Sequence, residues 1–258
     1  MVITNYTKNS DGVFIPDIPV ENNFFEKQYH SVRVCEQRIY SDTELAGLPD
    51  TASFNKYHRE WEIRKKSSAR FIEYLKQKNK PLKILDAGCG NGWLSNKLAG
   101  ISKSETVAMD LNYEELKQAS RVFTGNDNLF FVHGNINSFV EAGLTFDIIL
   151  FSASIQYFSS LTEVIAKSIL MLNDDGEIHI IDSPVYKPGK VDAAKERSGK
   201  YYRSIGFEKM SDYYFHHSVD DLKNFNSKIL YDPDSFKNYF FRNGNPFKWI
   251  CIYKQNLF

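Results

Sequence analysis

The stretch Ile84-Leu85-Asp86-Ala87-Gly88-Cys89-Gly90-Asn91-Gly92-Trp93-Leu94 decides the architecture of this chain. An apolar run ends in an acid, three glycines follow at alternate positions, and an apolar pattern then resumes with helical spacing. Glycine there lets the backbone turn sharply and come close to a ligand, where a Cβ would collide. The segment therefore reads as strand, binding turn and helix. Val107-Ala108-Met109-Asp110 repeats its first half and places a second strand-terminal acid 24 residues after Asp86.

Outward from this turn, short apolar runs alternate with helical stretches from Pro81 onward, the texture of βαβ units and a mainly parallel sheet. Strands are expected at Lys83 to Asp86, Thr106 to Asp110, Leu129 to His133, Phe146 to Phe151 and Glu177 to Asp182. Helices are expected at Trp93 to Ala99, Tyr113 to Phe123, Ser138 to Ala142 and Leu161 to Leu172, and Asn173-Asp174-Asp175-Gly176 reads as the turn into the fifth strand. Val191 to Ile205 suits another helix, and Lys228 to Tyr231 with Lys248 to Tyr253 suits a terminal antiparallel pair. Residues 1 to about 20, broken by Asp11-Gly12, Pro16 and Pro19, read as an extended lead-in. Helices are expected from Asn22 to Tyr40 and from Ala52 to Lys78, the second stopped by Asn79-Lys80-Pro81. The expectation is an α/β fold, Rossmann-like and doubly wound, with a mainly parallel seven-stranded sheet and a C-terminal antiparallel strand pair. A mainly helical extension or lid over 1–80 precedes a domain over 81–258 with an acceptor-side insertion around 186–226.

Composition narrows the function. The 258 residues are 42% hydrophobic, and 32 basic residues balance 32 acidic ones, so nothing advertises nucleic acid as a partner. The strongest basic run, Arg64-Lys65-Lys66, lies in a helical pattern and reads as a solvated face. The polar start carries no secretory signature, and no apolar run is long enough for a membrane. Cys35, Cys89 and Cys251 lack metal or redox spacing, which suits a reducing, cytoplasmic setting.

An acid ending the second strand of such a crossover can accept hydrogen bonds from both ribose hydroxyls of an adenosine, which is the reading preferred for Asp110. The alternative, a helix cap, is one that Asn112 could fill equally. Nicotinamide fingerprints space their glycines as G-x-G-x-x-G and seat a pyrophosphate. Here the spacing is tighter, and the Asp86 carboxylate would repel a pyrophosphate while tolerating a sulfonium and an amino group.

At these residues the chain resembles the class I S-adenosylmethionine-dependent methyltransferases of small-molecule type, over about residues 80 to 185. The resemblance implies that Asp86 orients the methionine amino group and that Gly88, Cys89, Gly90, Asn91 and Gly92 line S-adenosylmethionine. It further implies that Asp110 holds the ribose and Leu111 packs on adenine. Gly134, Asn135 and Ile136 match the family's third motif, with an asparagine amide where an acid usually accepts from the adenine amine. Phe146 to Phe158 matches the fourth, making Phe151, Ser152, Ala153, Gln156 and Tyr157 candidates near the methyl group, with Asp147 structural. The amino-methylating Asn/Asp-Pro-Pro-Tyr signature is absent, which disfavours nucleic-acid bases and glutamine as acceptors.

Methyl displacement needs a base only when the nucleophile must lose a proton. His216, His217, Tyr157 and Asp182 are the catalytic candidates; His58, His133 and His179 have packing alternatives. No metal site is expected, since His216 and His217 are adjacent and point apart. Tyr40, Tyr57, His58, Trp61 and Arg64 are the extension residues expected nearest the ligand. The expected activity is methylation of a small-molecule acceptor, leaving S-adenosylhomocysteine, by a monomer or homodimer. The alternatives are an NAD-dependent oxidoreductase on the same sheet and a cofactor-binding module without turnover.

Overall fold

The computed structural model describes residues 5–17, 24–236, 238 and 244–254. In chain order the elements are β1 (Tyr6–Lys8), β2 (Phe14–Pro16), α1 (Phe24–Cys35), α2 (Asp42–Gly47), α3 (His58–Gln77), β3 (Lys83–Ala87) and α4 (Trp93–Ala99). They continue with β4 (Glu105–Asp110), α5 (Tyr113–Val122), β5 (Leu129–His133), α6 (Ile136–Glu141), β6 (Phe146–Ser152), α7 (Leu161–Leu170) and β7 (Leu172–Ile181). The chain then forms β8 (Val185–Tyr186), α8 (Val191–Ser204), β9 (His217–Ser218), β10 (Ser227–Tyr231) and β11 (Trp249–Tyr253).

The main sheet runs β1-β2-β5-β4-β3-β6-β7-β11-β10. Its centre, β5-β4-β3-β6-β7, is parallel, and β11 pairs antiparallel with both β7 and β10. All seven expected strands are present, and the sheet is nine-stranded because the lead-in forms a hairpin, with Phe14 of β2 pairing parallel to Val132 of β5. The fifth core strand begins at Leu172 rather than Glu177: Phe146 pairs with Leu172 and Ile148 with Glu177, so Asn173 to Gly176 is accommodated as an irregularity in the ladder. The expected second helix begins six residues later than Ala52, at His58 of α3, and a short α2 that the spacing did not suggest lies between it and α1.

Strand alternation builds a core on each face. Ile84, Ala108, Phe131, Ile148 and Leu150 pack against α3, α4 and α5 through Phe71, Leu75, Leu94, Leu98 and Leu116. Leu85, Val107, Val132, Ile149, Phe151 and Ile178 face α6 and α7 through Phe139, Leu161, Val164 and Ile165. Among the described residues no helix is long and apolar enough to cross a membrane.

Because β4 and β6 flank β3, chain order reverses at β3, and the loops after β3 and β6 open into a crevice beyond the strands' carboxyl ends. Over it lies α1, whose Val32 packs with Tyr202 and Met210 of the 186–226 segment.

Candidate functional site

The turn after β3 is left-handed at each glycine: φ is 76° at Gly88, 54° at Gly90 and 71° at Gly92. Gly88 and Gly92 are dictated by packing, since added Cβ atoms would lie 2.6 Å from Ser154 Cβ and 2.5 Å from Phe131 Cε1. Gly90 is different: its Cβ would meet only the Glu115 carboxylate, at 3.5 Å, so its bareness leaves room beside the turn. The Gly88 and Cys89 N–H groups donate to the Met109 carbonyl, fastening the turn to β4.

Asp110 ends β4 beside this turn. Its Oδ2 accepts from Gly90 N–H at 2.7 Å and its Oδ1 from Asn112 N–H at 2.8 Å, so the backbone fixes both carboxylate oxygens. Burial raises its pKa, with those bonds opposing. The cap of α5 is Asn112, whose side chain accepts from Glu115 N–H, so Asp110 is not consumed as a cap. Asp86 is deeply buried. Ser95 Oγ donates to its Oδ2 at 2.7 Å, while Oδ1 has no protein partner. Burial pushes its carboxyl up to about 7, against the Ser95 bond.

Two cavities meet at the turn, both lined by Tyr29, Gly88, Gly90, Ala153 and Tyr157. One, of about 340 Å³, is walled by Asp110, Leu111, Gly134, Asn135 and Ile136. The other, of about 680 Å³, is walled by Asp86, Cys89, Asn91, Ser152, Gln156 and Asp182 on the sheet side. Its opposite wall includes Trp61 and Arg64 of α3, Arg33 of α1 and Tyr202 and Tyr214 of the 186–226 segment. The acid pair thus faces two joined chambers, Asp110 the smaller and Asp86 the larger.

The family description "Methyltransferase domain" matches residues 84–176. Over these residues the chain is similar to methyltransferase domains. The malonyl-[acyl-carrier protein] O-methyltransferase of Halalkalibacterium halodurans is 28% identical over 123 residues, covering 44% of this chain and 45% of that protein. The chain thus spans less than half the length of this curated relative. Among solved structures, the magnesium protoporphyrin IX methyltransferase of Synechocystis with S-adenosylhomocysteine has TM-score 0.56 at 12% identity, over 90% of this chain and 96% of that one. The plantazolicin methyltransferase bound to a desmethyl analog and S-adenosylhomocysteine has TM-score 0.52 at 15% identity, also over 90% and 96%. These structures share the fold of the methyltransferase domain.

Several residues expected at the site lie elsewhere in the structure. Phe151 is fully buried on the α6/α7 face and packs edge-on against Phe158, because strand alternation turns it away from the cavity and leaves Ser152 there. Gly92 lines neither cavity and faces Phe131 and Ala119 instead. Asn135 lines the smaller cavity, but its Oδ1 accepts from Ser138 N–H as the cap of α6, leaving the amide NH2 and one lone pair. His216 bonds Ser198 Oγ through Nε2, and His217 is buried with Nε2 on the Ile155 carbonyl, so neither lines the cavity; burial lowers both pKa values. His58 is bonded to Thr51, and His133 to the Leu111 carbonyl. Tyr40 bonds Trp61 Nε1 in the core, and Tyr57 OH donates to the Glu36 carbonyl.

Tyr157 lines both cavities, edge-on to Tyr29 at 5.4 Å, and burial raises its pKa. Asp182 lines the larger one at φ 52°, held by Ser67 Oγ at 2.6 Å, with burial raising its carboxyl to about 6. His179 does join a cluster with Glu177 and Cys251 that the sequence did not suggest, Cys251 coming from β11. Its hydrogen bonds are filled from within: Trp249 Nε1 donates to His179 Nδ1, and Lys78 and Tyr74 reach Glu177.

Sequence reasoning also missed Glu115 and Arg33. Glu115 is buried beside Gly90, its Oε2 has no partner, and burial pushes its carboxyl up to about 7. Its position in the first turn of α5 resembles an ordinary helix-dipole acid, and only the fold turns it inward.

Proposed function

We propose that the protein is an S-adenosylmethionine-dependent methyltransferase acting on a small-molecule acceptor. One observation carries this reading: Asp86 and Asp110 flank a three-glycine turn, each facing its own chamber, and one Asp86 oxygen is buried without a protein partner. A buried lone pair of that kind costs free energy unless a donor meets it, and an amino group is such a donor. The cofactor, when bound, supplies a methyl group on a positively charged sulfur.

Asp110, prealigned by the Gly90 and Asn112 N–H groups, would take the ribose hydroxyls. Leu111 and Ile136 would pack on the base, and Asp86 with the Gly88–Gly90 backbone would hold the methionine end. The roof from α1 and the Tyr157 ring would exclude water and align the acceptor, which is where catalysis of a direct displacement originates. Within this reading the N-terminal helical segment is a lid and 186–226 the acceptor wall. The proteins compared above are named for malonyl-acyl-carrier-protein, plantazolicin and magnesium protoporphyrin IX, three unlike acceptors. The acceptor therefore has to be read from this chain's own cavity.

Calorimetry with S-adenosylhomocysteine is the test. Micromolar binding, lost in Asp110→Ala and accompanied by no binding of NAD, is expected. Absence of binding at high micromolar ligand would overturn the proposal.

A further inference from the structure

We propose that the larger cavity takes an acceptor bearing a carboxylate, that Arg33 is its receptor, and that a carboxylate oxygen accepts the methyl group. This rests on the methyltransferase reading. Arg33, Arg38, Arg64 and Arg197 line the cavity. Arg38 and Arg64 are committed: Arg38 bonds both Glu60 oxygens, at 2.9 and 2.6 Å, and lies 3.3 Å from Glu36, while Arg64 shares Glu60 at 2.8 Å. Arg197 is exposed at the outer wall. Arg33 projects from the roof with its Nε buried and unpartnered, and its guanidinium lies over the Tyr29 ring, 5.6 Å from the centroid, with no ion pair to another described residue. Glu115 acts on it electrostatically from beyond ion-pair distance, its carboxyl raised by burial against the pull of Arg33.

A half-buried guanidinium with no ion pair among the described residues keeps its forked donors available, and these match a carboxylate. The Tyr29, Tyr202 and Tyr214 rings line the same chamber and add phenolic groups suited to anionic oxygens. Among the described residues no histidine lines the chamber, and the acid on its acceptor side is Asp182, with Oδ2 bonded by Ser67 Oγ and Oδ1 unpartnered. A carboxylate is already deprotonated, so its chemistry suits such a wall. Its oxygen lone pair forms the new O–CH3 bond, the C–S bonding pair stays on sulfur and cancels the positive charge, and no proton moves. The products are a methyl ester and a thioether.

The test uses full-length protein loaded with S-adenosylhomocysteine, titrated with 4-hydroxybenzoate, cinnamate, succinate and decanoate and with their carboxamides. At least one carboxylate is expected to bind about tenfold or more tighter than its amide, as a charge-assisted bidentate contact implies. Arg33→Gln should erase that preference and Arg33→Lys keep part of it, while S-adenosylhomocysteine affinity stays within about threefold of the parent. In turnover with methyl-labelled cofactor and a small-molecule cell extract, label should enter products that release methanol in alkali. Equal binding of acids and amides, no acid bound, base-stable label only, or Arg33→Gln weakening S-adenosylhomocysteine itself would each overturn the inference. Failure of the unaltered protein to bind S-adenosylhomocysteine would instead sink the underlying reading.

Discussion

Replacing Asp86 with asparagine should stabilise the ligand-free protein at alkaline pH while weakening cofactor binding. The Asp86 carboxyl is 1% exposed, and burial raises its pKa from 3.8 to about 7. Between those values the folded chain holds a proton that the unfolded chain has released, so stability falls as pH rises and the loss is complete above the folded value. A rise of about three pH decades at ~1.4 kcal/mol each sets a ceiling of ~4 kcal/mol. Asparagine cannot ionise, and its Oδ1 can still accept from Ser95 Oγ. The Asp86→Asn protein should therefore gain several degrees of melting temperature at pH 8, and the gain should shrink towards zero near pH 4 to 5. Thermal melts of both proteins across pH 4–9, paired with calorimetry, measure this. S-Adenosylhomocysteine affinity at pH 8 should fall by about tenfold or more, as loss of a charged hydrogen bond implies. A melting difference that is the same at pH 5 and pH 8, or a loss of stability at pH 8, would refute the reasoning.

Further outcomes are expected at Asp110, at the glycine turn and at His216. Asp110→Asn should cost S-adenosylhomocysteine about 10- to 100-fold in calorimetry, because the new NH2 group must oppose the Gly90 or Asn112 N–H and one acceptor oxygen is lost. Gly92→Ala should destabilise by about 2–4 kcal/mol in denaturant melts, since its Cβ would sit 2.5 Å from Phe131 at φ 71°. Gly90→Ala, with open space around it, should cost only about 1–2 kcal/mol of stability and register mainly as weaker ligand binding. His216→Gln should leave turnover on an identified acceptor within about twofold at every pH, because its ring lies outside the cavity lining; a lost ionisation in the rate profile would contradict this.

Much of the fold was legible because the determinants are local. Strand alternation, the glycine turn and the terminal acids at Asp86 and Asp110 all act within a few residues of themselves. The N-terminal hairpin was hidden because Tyr6–Lys8 and Phe14–Pro16 are three-residue strands in polar, proline-marked sequence, paired through tertiary contact with β5. Phe151 could have been assigned to the core from parity, since Ser152 and Leu150 share the opposite face of the strand. Glu115 and Arg33 were not legible, because their inward aim depends on how α5 and α1 are set against the turn. The aromatic roof likewise joins Phe25 and Tyr29 to Tyr157 and Tyr213, more than a hundred residues away, which no periodicity reveals.

Tyr29 borders both chambers from a single helix, edge-on to Tyr157. A partition shared in this way couples the traffic of two ligands: whatever displaces α1 to admit one exposes the other. On the proposed methyltransferase reading, the expected exchange is ordered, with cofactor entering first and its spent form leaving last. Steady-state inhibition by S-adenosylhomocysteine should then be competitive against S-adenosylmethionine and noncompetitive against the acceptor, and Tyr29→Ala should relax that order.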